Sequence, residues 1–79
     1  MYFVYSLLCA DNTIYTGITT DLDRRVSEHN SSRLGAKYTR SRRPVKLIYQ
    51  KQFESRSEAL VEEARIKKLK RSDKEKLIF

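Results

Sequence analysis

Two β-rich runs separated by three turn-forming residues constrain this chain more than any other feature. Tyr2 to Cys9 is apolar almost throughout and reads as a buried strand, while Thr13 to Thr19 is β-branched and aromatic. Between them, Ala10-Asp11-Asn12 is turn chemistry, because Asp and Asn tolerate tight backbone geometry. The arrangement predicts an antiparallel hairpin. Alternate side chains of such a pair share a face, which brings Tyr5 close to Tyr15 and Gly17. A glycine on that face leaves room for a ligand or another backbone.

The rest of the chain predicts helices laid against this sheet. Thr20 or Asp21 caps a helix that carries Leu22, Val26 and His29 on one side and ends near Asn30-Ser31-Ser32. Arg25 and His29 are four apart, so they project from adjacent turns of one flank. Val45, Leu47, Tyr49 and Phe53 alternate with Lys46, Gln50 and Gln52, the pattern of a third strand with one wet face. Ser55-Arg56-Ser57-Glu58 is a capping box opening the main helix, about residues 56 to 70. Ser72-Asp73-Lys74-Glu75 is a second box, opening a short helix that ends in Leu77, Ile78 and Phe79. The expected order is ββαβαα, an α+β fold in which a small three-stranded antiparallel sheet is flanked by helices, one domain over residues 1–79.

Charge speaks to partners rather than fold. With 17 Lys+Arg against 10 Asp+Glu the net charge is +7, which favours a polyanion. No run approaches the roughly 18 apolar residues of a spanning helix, and no signal-peptide core is present, so no membrane partner is expected. Cys9 stands alone and forms neither an internal disulfide nor a zinc cluster, which makes a reducing cytoplasm the expected compartment. Between residues 33 and 46 lie Arg33, Lys37, Arg40, Arg42, Arg43 and Lys46 with no acid among them. Over Arg33 to Pro44 the segment is expected to be a mobile surface loop that binds something negative.

Taken singly, the candidate catalytic residues have ordinary explanations. A strand tyrosine such as Tyr5 or Tyr15 is usually core, Arg25 a solvated helix residue pairing with Asp21, and His29 a cation suited to a helix C-terminus. Glu63 is more telling, because the helical wheel sets it with Ala59, Leu60 and Ile66 on the face expected to pack on the sheet. An unpaired carboxylate there is costly. Either Lys67 one turn along pairs with it, or the side chain snorkels out at the edge of the sheet, or a metal ion occupies the site. The set as a whole supplies what a one-metal phosphodiesterase needs: a phenol to activate water, an arginine to hold a phosphate oxygen, and a carboxylate to hold a divalent ion. There is no Gly-rich phosphate loop, no Cys/His metal spacing and no Ser/His/Asp set.

In this order the residues resemble the GIY-YIG endonuclease superfamily. Phe3-Val4-Tyr5 resembles its first signature and Tyr15-Thr16-Gly17 its second. Arg25 and His29 lie in the pattern Arg-Arg-x-x-x-His-Asn, and Ala59-Leu60-Val61-Glu62-Glu63 resembles the stretch Ala-Leu-x-x-Glu. The likeness spans nearly the whole chain and is greatest to small stand-alone bacterial-type members related to structure-specific resolvase subunits. Phe3-Val4 stands where the signature has Gly-Ile, and no asparagine follows the main helix, where some members have one. The resemblance implies an endonuclease that hydrolyses DNA with one Mg²⁺ or Mn²⁺, acting on branched or structured DNA in repair or recombination. Glu63 would hold the ion, Arg25 the phosphate, Tyr5 or Tyr15 would be the base, with Tyr5 preferred and Tyr15 then positioning the phosphate, and His29 or a nearby cation would lower the phenol's pKa. Lys37, Arg40, Arg42 and Arg43 would hold the DNA backbone. Two rival readings remain: an accessory module that binds nucleic acid without cutting, and a subunit that needs a protein partner for substrate recognition.

Overall fold

A computed structural model describes residues 1–31 and 35–78, with side chains through residue 76. Seven elements follow one another: β1 (Tyr2–Leu8), β2 (Ile14–Thr19), α1 (Leu22–Ser31), α2 (Lys37–Arg40), β3 (Lys46–Phe53), α3 (Arg56–Lys68) and α4 (Arg71–Ile78). The three strands form one antiparallel sheet in the order β2-β1-β3. The expected α+β architecture is present, with one addition. The basic segment expected to be a mobile loop contains the short helix α2.

The hairpin turn forms as its chemistry demands. The Asp11 carboxylate accepts from the Thr13 backbone N–H at 3.2 Å and from its hydroxyl at 2.6 Å, and Asn12 takes the left-handed conformation at φ 69°. Tyr5 then pairs with Gly17 and Leu7 with Tyr15. A β-carbon at position 17 would lie 2.7 Å from the Tyr5 hydroxyl oxygen. The room that Gly17 leaves is therefore filled by the phenol of Tyr5 itself rather than by a ligand.

Each face of the sheet has its own core. On one face Tyr5, Leu7, Cys9 and Val45 pack with Tyr15, Leu22, Val26 and Leu47; on the other, Val4, Ala59 and Ile66 pack with Tyr2, Ile18, Tyr49 and Phe53. The sequence pattern set Leu47 and Tyr49 on the same side, and the structure separates them. Ser6 pairs with Tyr49 but Leu7 with Leu47, so Ile48 is an extra residue in β3. With a side-chain period of two, one inserted residue sends what precedes it to the opposite face.

The helix starts follow their caps, with one exception. Asp21 accepts from the Arg24 N–H, and Ser55 exchanges bonds with Glu58 through its hydroxyl. The second box does not act as a cap: α4 already starts at Arg71, and the Lys74 N–H bonds the Lys70 carbonyl at 2.9 Å. Leu69, extended at ψ 146°, ends α3 two residues before the expected boundary at residue 70. Phe79 and Arg33 lie outside the described residues. None of the described helices is long and apolar enough to cross a membrane.

Candidate active site

The pocket of interest, about 370 Å³, opens at the β2 edge of the sheet and is lined from three directions. The sheet supplies Tyr5, Tyr15 and Gly17, α1 supplies Arg25, and α3 supplies Glu63, with Arg56 and Leu60 on the same wall. Arg56 was missed in the sequence. Positions 56, 60 and 63 fall on one helical flank by i, i+4, i+7 spacing, which was the available signal.

His29 lies behind this wall, fully buried. Its Nε2 is 2.8 Å from the Tyr5 hydroxyl and its Nδ1 is 2.7 Å from the Thr39 hydroxyl. The Tyr15 ring completes the cluster, 5.2 Å from the imidazole and 6.5 Å from the Tyr5 ring between centroids. Arg25 donates to the Tyr5 oxygen and, at 2.9 Å, to Glu28. His29 is thus a partner of the phenol, not the exposed helix-end cation of the simpler reading.

Burial dominates the electrostatics. It pushes the Tyr5 phenol up to about 12, while hydrogen bonding and charge from Arg25 pull the other way. Burial likewise drives His29 down to about 4, reinforced by the positive charges of Arg25 and Arg43 and opposed by Glu28. Both groups are neutral at rest. The expectation that His29 or a cation would lower the phenol below its ordinary value is met only as this partial offset by Arg25.

The depressed His29 value fixes a pH dependence of stability. An unfolded imidazole takes up its proton near 6.5, whereas the folded one resists until about 4. Stability is therefore fully present above about pH 6.5 and is lost as pH falls toward 4, by roughly 3 kcal/mol across the window. Urea denaturation of the wild type and of His29→Gln between pH 7 and 4 isolates this step from carboxylate titration. Parallel curves for the two proteins would show that His29 does not carry it.

Glu63 does not lie on the packed face where the helical wheel set it. The carboxylate buried on the sheet-facing stripe, with Ala59 and Ile66, is Glu62, which accepts from Tyr49 at 3.2 Å and from Arg65 at 2.7 and 2.9 Å. Arg65 holds Glu62 below the usual carboxylate range. Glu63 sits one position round, at the pocket, with its side chain 19% exposed and Lys67 at 3.3 Å. Leu60, also expected on the packed face, is partly exposed at the pocket wall. Among the described residues no three His, Cys, Asp or Glu side chains gather to cage a metal. One carboxylate on an open pocket nevertheless suits a hard cation of the Mg²⁺ type, which takes one or two carboxylates and completes its shell with water and phosphate oxygens.

The basic segment divides into two functional kinds. Arg42 bonds Asp11 at 2.8 Å and the Tyr38 carbonyl at 2.8 Å, and lies over the Tyr38 ring, which in turn stacks on Tyr15. Arg43 donates to the carbonyls of His29 and Glu28 at the end of α1, where a cation also complements the helix dipole. Asn30 clamps both backbone groups of Val45, and Gly35 comes so close to α1 that a β-carbon would meet the Glu28 carbonyl at 2.6 Å. These bonds are why the described part of the segment is an ordered brace rather than a mobile loop. Lys37 and Arg40 point outward from α2 into solvent.

Comparison with known proteins agrees with this geometry. The family described as GIY-YIG catalytic domain matches residues 1–76. A UPF0213 protein of Desulfotalea psychrophila is 54% identical over 98% of this chain and 70% of its own length, and one of Halobacterium salinarum is 54% identical over 98% and 99%. The solution NMR structure of a UPF0213 protein from Bacillus halodurans is similar with a TM-score of 0.64 at 47% identity, covering 99% of this chain and 83% of that one. A solved protein from E. faecalis is similar with the same TM-score at 48% identity, covering 96% and 81%. The chain therefore belongs to the GIY-YIG family, a nuclease superfamily.

Proposed function

We propose that this protein is a metal-dependent endonuclease that hydrolyses phosphodiester bonds of DNA. The observation that carries the reading is the convergence of Tyr5, Arg25 and Glu63 from a strand and two different helices on one open pocket, with the phenol bonded to both Arg25 and His29. Arg25 holds a non-bridging phosphate oxygen through charge-assisted bonds that strengthen as charge builds in the transition state. The Tyr5 proton passes to His29 Nε2 as the phenol oxygen takes a proton from the attacking water. The resulting hydroxide adds to phosphorus, the bond to the departing oxygen breaks, that oxygen takes a proton from solvent, and His29, which holds its extra proton only transiently, returns it through Tyr5 to solvent. Glu63 would hold a Mg²⁺ or Mn²⁺ ion, which supplies Lewis-acid stabilisation at the phosphate. The Glu63 charge contributes to keeping Tyr5 high, so neutralising it also eases loss of the phenol's proton.

The test is incubation of the pure protein with flapped, branched and linear DNA, with and without Mg²⁺ or Mn²⁺. Divalent-dependent cleavage of at least one substrate is expected, with branched or flapped DNA favoured. Binding without cleavage in every case would favour the second reading, an accessory module on the same fold. The Glu63–Lys67 ion pair is the observation on that side, since it occupies the carboxylate without a metal.

Phosphate contacts should run through α2. Each contact contributes about −0.9 to the slope of log affinity against log salt, so replacing Lys37 and Arg40 together should flatten the slope by roughly two units. Arg42→Ala or Arg43→Ala should instead lower thermal stability and leave the slope near wild type, because these guanidiniums hold the fold. A slope unchanged by the Lys37/Arg40 pair would move the binding face to the basic end of α3.

A further inference from the structure

We infer that Thr39 is a positioning residue that sets the tautomer of His29, so that a lone pair rather than an N–H of the imidazole faces Tyr5. The inference rests on the hydrolytic reading of the site and adds to it a residue and a direction of proton flow. Thr39 and His29 are fully buried and Tyr5 nearly so, which leaves each bond to be settled within the protein.

The direction follows from the two ends of the chain. Arg25 is always a donor, so the Tyr5 oxygen accepts from it and the phenol's own proton needs an acceptor. His29 Nε2, 2.8 Å away, is that acceptor. A neutral imidazole with a bare Nε2 carries its proton on Nδ1. That N–H points to Thr39 Oγ1 at 2.7 Å, and the Thr39 hydroxyl donates onward to the Ala36 carbonyl at 3.0 Å. The bonds thus run one way, from Arg25 through Tyr5, His29 and Thr39 to a backbone carbonyl. In the reversed pattern Tyr5 would receive two donors and its proton would have no partner among these groups.

The role belongs to the hydroxyl. Thr39 presents an acceptor to a ring nitrogen that is otherwise enclosed, and it keeps that acceptor aimed by bonding three residues back to Ala36, the N-cap of α2. With the acceptor removed, a buried Nδ1–H is unsatisfied, and the imidazole relieves this by moving its proton to Nε2. An Nε2–H cannot take the Tyr5 proton. This gives α2, only four residues long, a purpose beyond its outward cations.

Two measurements test the assignment. Nitrogen-15 NMR of the labelled protein at neutral pH should show His29 with a protonated Nδ1 and a bare Nε2, and Thr39→Ser should keep that pattern. Thr39→Val should shift it toward protonated Nε2. With a DNA substrate that the wild type cuts, Thr39→Val should lower kcat by about tenfold or more with KM little changed, and Thr39→Ser should restore most of the rate. A wild-type spectrum with protonated Nε2 overturns the inference even if Thr39→Val fails to fold, as does a valine variant that keeps both the tautomer and kcat. If no DNA is cut, the hydrolytic reading fails while the NMR result still decides the tautomer.

Discussion

Replacing Arg25 by alanine should slow cleavage by a factor on the order of a hundred or more, whereas Arg24→Ala should cost only a few-fold. The two residues are adjacent and both approach Glu28, at 2.9 Å for Arg25 and 3.8 Å for Arg24. What separates them is everything else. Arg24 has a side chain 63% exposed, and an exposed ion pair contributes about 0 to 1 kcal/mol. Arg25, at 24%, lines the pocket and donates to the Tyr5 oxygen. On the proposed function its loss removes both a phosphate clamp and the donor that favours the phenolate. Lysine at position 25 should rescue poorly, because a point charge cannot serve the phosphate, Glu28 and Tyr5 through one planar fork. Single-turnover rates decide the matter: a crippled Arg24→Ala beside a healthy Arg25→Ala would overturn the assignment.

Glu63→Gln should abolish cleavage and leave DNA binding unchanged or slightly tighter. The amide keeps the shape of the side chain but loses the charge that would hold a cation, and it removes a negative group from a phosphate-binding pocket. The variant should fold normally, since Glu63 gives up only a surface pair with Lys67. Glu62→Gln is the informative control. It disturbs the bonds to Tyr49 on the packed face and to the half-exposed Arg65, so it should reduce stability more than rate. Unaltered cleavage by pure Glu63→Gln would remove this carboxylate from the chemistry.

The hairpin and the capped helices were readable because their signals are local. Asp11-Asn12, Asp21 and Ser55 act on residues within three positions of themselves. The tyrosine face was also readable, since period two needs no knowledge of the rest of the chain. Apart from the local box at Ser72, which lies inside α4, what misled was decided across the chain. The wheel for α3 set Glu63 toward the core, but docking on the sheet turned Ala59, Glu62 and Ile66 inward. The extra Ile48 is invisible until β1 lies beside β3. Arg42 and Arg43 look like their neighbours Lys37 and Arg40 in composition. Only the folded chain brings Asp11 to one and the end of α1 to the other. Thr39 gave no sequence signal, because a threonine in a basic stretch is ordinary until a buried imidazole needs its oxygen.

The sheet divides two cores, and the pocket reaches round its edge to draw on both sides. Arg25 belongs to the helix packed with the Tyr5 and Leu7 layer, and Glu63 to the helix packed with Val4 and Ile66. On the proposed function, a nucleic-acid phosphate seated between them would act as a cross-brace between the two layers. Such a ligand favours the folded state by mass action, about 2.7 kcal/mol at a hundredfold excess over its dissociation constant. Because Glu63 stands on α3 while Tyr5, Arg25 and His29 stand on β1 and α1, a shift of α3 would change the Glu63 side of the pocket and leave the mutual geometry of the other three in place. On the proposed function, grip on the cation and grip on the phosphate would be separately adjustable, and packing changes beneath α3 would tune one without rebuilding the other.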